Sequence, residues 1–70
     1  MVKRSFSVPD DPVGNPGRMV YILSLFKGDD PQAIAGYSYP DRKDAVNDGV
    51  EWVDYGLLPH SDAPYLYNGR

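Results

Sequence analysis

Seventy residues with a formal charge of −3 and no cysteine allow one small domain and exclude disulfides and thiolate zinc sites as its braces. The mild acidity disfavours unspecific attraction to phosphate backbones or anionic lipid. No run of about 18 apolar residues occurs, so no transmembrane helix is expected.

The chain reads as a single domain over 1–70, with 41% hydrophobic and 24% charged residues, a globular balance rather than a disordered one. At this size, backbone ordering nearly cancels apolar burial. An efficient core or self-association must supply the difference. Met1-Val2-Lys3-Arg4 is basic, but Ser5 to Pro12 offers no apolar stretch for a secretory signal. The lack of cysteine fits a reducing cytoplasm.

Residues 4–8 alternate, with Phe6 and Val8 on one side and Ser5 and Ser7 on the other, which predicts a strand. Pro9 to Gly17 is dense in proline and glycine and is expected to be loop throughout. Met19 to Phe26 is the strongest apolar run, and its β-branched and aromatic content favours strand over helix. Both parities are apolar: Tyr21, Leu23 and Leu25 one way, Val20, Ile22 and Phe26 the other. Lys27 to Pro31 is a turn, and Ala33 to Tyr39 is the return strand of a hairpin over 19–39.

The spacing then predicts a helix over 41–55. Asp41 suits the N-cap, its carboxylate accepting first-turn donors. Ala45, Val46, Gly49, Val50, Trp52 and Val53 share one arc of the wheel, and polar residues fill the rest. Gly56 suits the stop. Gly49 in mid-helix costs about 1 kcal/mol against alanine and implies close helix–sheet approach. The tail over 57–70 holds Ala63 to Tyr67, a candidate edge strand. The expected fold class is α+β, a small antiparallel sheet of three strands, with a short C-terminal fourth as an option, packed on one amphipathic helix.

Catalytic chemistry has little to stand on. His60-Ser61-Asp62 holds the residue types of a hydrolytic triad, but neighbouring side chains diverge in extended backbone and no nucleophile elbow is present. Asp10-Asp11, Asp29-Asp30 and His60/Asp62 lack calcium-loop or zinc spacing and read as turn chemistry. Gly14-Asn15-Pro16-Gly17-Arg18 leads into a strand, not a helix N-terminus, and is no phosphate cradle. No catalytic residue, cofactor or metal is expected.

Nucleic-acid binding is the alternative. Strand–strand–strand–helix order, with Gly36-Tyr37-Ser38-Tyr39 leading to Asp44-Ala45, resembles plant-type AP2 domains, which read a groove from an exposed sheet face. Gly36 to Val53, with Asn47-Asp48-Gly49-Val50, is also similar to short ββα repeats of bacterial proteins. Both rest on common residue types over about half the chain, so no residue or activity is carried over. Lys3, Arg4, Arg18, Lys27, Arg42, Lys43 and Arg70 are scattered, which counts against a nucleic-acid face.

Two features point instead to a protein partner. Asp41, Asp44, Asp48 and Glu51 form a stripe beside Asn47 and Tyr55. The last helical turn holds no lysine or arginine to offset it. Tyr21, Tyr37 and Tyr39 share strand parity and can form one aromatic patch, exposed if the helix covers Val20, Ile22 and Ile34. Tyrosine is favoured in interfaces because it buries area at low entropy cost. The expectation is a cytoplasmic, non-catalytic protein-interaction module, such as a small phage-type inhibitor or modulator of a larger cellular protein. Its expected contacts are Tyr21, Tyr37, Tyr39, Asp44, Asp48, Glu51 and Tyr55, with a homodimer as a further option.

Overall fold

The computed structural model describes residues 3–59. Strands β1 (Arg4–Ser7), β2 (Val13–Asn15), β3 (Arg18–Lys27) and β4 (Ala35–Tyr39) precede one helix, α1 (Arg42–Tyr55). The strands form one four-stranded antiparallel sheet organised around β3. Both β1 and β4 pair with Ser24 and Leu25 of β3, so they flank it on opposite edges. This is the α+β architecture expected, with one strand that was not.

That strand is β2, inside the segment read as loop. A hairpin joins it to β3, with Asn15 opposite Arg18 across the two-residue turn Pro16-Gly17. Proline presets φ at the first central position of such a turn, and the second needs positive φ. Gly17 supplies it at φ 85°. Turn chemistry was visible here, but three residues are too short to show periodicity. The candidate edge strand over 63–67 lies outside the described residues.

Pairing fixes which residues share a face. Phe6 is opposite Leu25, Leu25 opposite Ala35, Leu23 opposite Tyr37 and Tyr21 opposite Tyr39. These side chains form the face under α1, and Leu23 and Leu25 are fully buried there. Each such leucine contributes about 1.5–3 kcal/mol through removal from water. The outer face carries Ser5 opposite Phe26, Ser7 opposite Ser24, Ile22 opposite Ser38, and Ser24 opposite Gly36.

The helix buries Ala45, Gly49 and Trp52, with Val46 and Val53 packed at the margin of the core. Val50, expected within the apolar arc, is exposed. Gly49 lies against Phe6, where a Cβ would fall 2.6 Å from Cγ and 2.7 Å from Cε2 of the ring. That contact is the close approach its sequence position implied. Asp41 takes the N-cap position with extended backbone, but its side chain makes no capping hydrogen bond; the 3.3 Å contact from Ala45 N–H is to its backbone oxygen. At the other end Gly56 adopts φ 70° and its N–H donates to Trp52 O at 2.9 Å, a left-handed stop.

Two arginines fasten the helix to the first strand region. Arg4 Nε donates to Trp52 O at 2.7 Å and Nη2 to Val53 O at 3.1 Å, with the guanidinium 5.7 Å from the Trp52 ring centroid. The last turn itself holds no cation, so β1 supplies the positive charge that the helix C-terminus favours. Arg42 Nη2 donates to Val8 O at 2.8 Å and Nε to Pro9 O at 3.2 Å, and pairs with Asp10 at 3.3 Å. Hence α1 runs antiparallel to β1. Trp52 Nε1 completes the seam by donating to Ser5 O at 3.1 Å and Phe26 O at 3.2 Å.

Candidate interaction surface

Register decides the fate of the tyrosines. Tyr37 is 7% exposed and Tyr39 6%, so both belong to the core under the helix rather than to a partner surface. Tyr21 is half-buried and packs against that core. An exposed aromatic sheet face is therefore corrected to an internal one. Phe6 and Gly49 explain it: the ring opposite Leu25 nests against the helix, which fixes the odd-numbered side of β3 as the inner side. Ile22 and Val20 lie on the outer face instead, and Ile34 is exposed.

Burial gives Tyr39 a structural task. Its phenol donates to Asp48 Oδ2 at 2.6 Å. Desolvation, reinforced by that bond and the Asp48 charge, pushes its pKa well above the usual phenol range. Asp48 is consequently committed to the core margin and drops out of the acidic stripe as a free contact.

What remains on the solvent side of α1 is narrower than the sequence suggested. Asp44, Glu51 and Asp54 are exposed, and among the described residues none of them has a cationic partner within ion-pair distance. Asp44 and Glu51 are seven residues, about 10.5 Å, apart along the axis. Beside them the same helix and its exit expose Val50 at 43%, Tyr55 at 73%, Leu57 at 54% and Leu58 at 53%. The apolar members were not anticipated by sequence. Val50 sat inside the apolar arc, and Leu57-Leu58 follow the helix stop, where periodicity has no meaning.

The outer sheet face offers different chemistry. Val20, Ile22, Ser24 and Phe26 alternate with inward residues along β3, and Arg18 is the one β3 cation of that parity. An open hollow of about 420 Å³ lies among Ser24, Phe26, Pro31, Gln32 and Ala33. It contains no ionisable side chain. Among the described residues no group of three or more His, Asp or Glu is placed to hold a metal. At the Asp29-Asp30 turn, Asp30 Oδ1 accepts from Gln32 N–H at 3.0 Å, which is local turn chemistry. His60, Ser61 and Asp62 lie outside the described residues.

Over the described residues, fold and surface together define a small α+β domain, a four-stranded antiparallel sheet covered on one face by one helix. The chain matches no family model, no curated protein and no solved structure. No helix of the described residues is long and apolar enough to cross a membrane.

Proposed function

We propose that this chain is a non-catalytic protein-interaction module that binds a basic partner protein through the exposed side of α1. One observation carries the reading: Asp44, Glu51 and Asp54 stand in solvent without cationic partners among the described residues, beside exposed Val50, Tyr55, Leu57 and Leu58. Carboxylates steer a basic surface and fix its register, while aromatic and aliphatic anchors give the contact its energy. The role this suits is an inhibitor or modulator of a larger protein, in a cytoplasmic setting where a cysteine-free chain loses nothing. Self-association is a second, separate property of the reading. The nucleic-acid alternative has weaker support, because β3 contributes only Arg18 to the outer sheet face.

The test is capture of partners on immobilised protein, comparing the native chain with Asp44→Lys/Glu51→Lys and with Tyr55→Ala/Leu58→Ala. All three are checked for folding by circular dichroism. Loss of the same captured protein in both variants supports the helix face. Equal capture by all three removes it. Retardation of labelled DNA or RNA at moderate salt by micromolar protein would favour the alternative.

A further inference from the structure

Among the described residues, the three most exposed large hydrophobic side chains, Tyr55, Leu57 and Leu58, all sit where α1 ends. Local bonds hold this exit in place. Gly56 N–H donates to Trp52 O at 2.9 Å and Leu57 N–H to Glu51 O at 3.4 Å, so the first two residues after the helix are tied to its last turns. Two carboxylates border the phenol. Glu51 precedes Asp54 by three positions and Tyr55 by four, spacings that set side chains beside one another on a helix surface, about 5–6 Å apart at Cβ. All three are exposed. Arg4 reaches the same end of α1, but its donors are directed to Trp52 O and Val53 O. Among the described residues, Glu51 and Asp54 have no cation within ion-pair distance.

An exposed ring flanked by carboxylates favours one kind of cation over another. A guanidinium is planar and weakly hydrated; it stacks on a tyrosine face while its fork of N–H groups reaches carboxylates beside the ring. An ammonium is a compact, strongly hydrated charge and has no flat face to stack. Leu57 and Leu58 offer the aliphatic stem apolar surface to lie on. We propose that the exit of α1 is an arginine-anchoring site, at which a partner protein lays one arginine across the Tyr55 ring with its guanidinium between Glu51 and Asp54. This rests on the reading of α1 as the face that binds a basic partner, and it names the group that the face selects. The charge balance also argues for a foreign occupant. A second copy brings seven lysines and arginines against ten aspartates and glutamates, an overall sign that repels this face.

The probes are two capped peptides of equal length, one alternating alanine with arginine and the other alanine with lysine. Each is titrated at low salt into the isotope-labelled full chain and followed by NMR. The arginine peptide should bind about three-fold or more tightly than the lysine peptide, with shifts centred on Glu51, Asp54 and Tyr55. Tyr55→Leu, at an exposed position, should bring the two affinities together. Glu51→Gln/Asp54→Asn should weaken both by about ten-fold, whereas Asp29→Asn/Asp30→Asn, which removes equal charge elsewhere, should not alter the arginine preference. Equal affinity of the native chain for the two peptides, with shifts on α1, overturns the arginine anchor and leaves the basic-partner reading standing. No shift on α1 with either peptide overturns both. Contacts to Tyr55 from Arg70, or from Arg18 of a second copy, in the peptide-free chain assign the site to the chain itself and overturn the proposal. The peptide comparison on the native chain decides even if a variant fails to fold.

Discussion

Replacing Gly49 by alanine sets two known effects against each other. In an exposed helix the change stabilises by about 1 kcal/mol, since glycine loses more backbone freedom on folding. Here the new methyl would lie 2.6 Å from Phe6 Cγ and 2.7 Å from Cε2. Cγ is the ring atom nearest the backbone, so rotation cannot clear it without pulling the ring out of its packing beside Leu25. Overpacking of this kind costs about 1–3 kcal/mol, and with several ring atoms inside contact the upper figure applies. Net destabilisation is then about 2 kcal/mol, or a fall in melting temperature of about 8–16 °C for a domain of this size. Urea denaturation followed by Trp52 fluorescence measures it. The same substitution in a Phe6→Ala background should be neutral or stabilising, because the clashing atoms, Cγ included, are gone and the helix gain remains. If Gly49→Ala stabilises the native chain by about 1 kcal/mol, the close approach of α1 to β1 is wrong.

The remaining perturbations address the two polar ties of the core. Arg4→Met keeps the aliphatic stem but removes both bonds to Trp52 O and Val53 O. It should cost about 1–3 kcal/mol in urea denaturation, with Arg4→Lys restoring only part because an ammonium cannot reproduce the fork. Tyr39→Phe removes the bond to Asp48 and should cost about 1–2 kcal/mol near neutral pH. It also has a pH signature. The folded phenol holds its proton above its ordinary value of 10.0, so its contribution is complete below that pH and declines as pH rises past it, where the unfolded chain ionises first. The native chain should lose stability above pH 10 more steeply than Tyr39→Phe, as read from melting temperatures over alkaline pH. Equal slopes would refute the buried phenol.

Sequence patterning made some elements plain and left the decisive one open. The eight-residue apolar run could hardly be anything but the central strand, and β3 extends it by one residue at each end. The helix wheel located Ala45, Gly49 and Trp52 in the core. Which side of β3 met that helix could not be read from β3 itself, because both of its parities are apolar. The signal lay in the neighbours: Ser5, Ser7, Ser24 and Ser38 all fall on one side once the strands are paired. That small-polar side is the outer one. Arg4 was counted as one of several scattered cations. Its role depends on a partner 48 and 49 positions away, a separation that no local pattern reports. The acidic stripe was legible as a pattern, but the commitment of Asp48 to Tyr39 was not, since it follows from the register.

The two arginine clips have a consequence for how the polypeptide reaches its native state. One end of the helix is held by Arg4 and the other is tied to Val8 and Pro9, so both anchor points precede the helix by more than thirty positions in the chain. During translation the β1 stretch must wait for codons up to Val53 to be read and for their products to clear the ribosome. Neither half can reach the native arrangement beforehand, and folding should arrive late and all at once, a pattern favoured by distant ring closures.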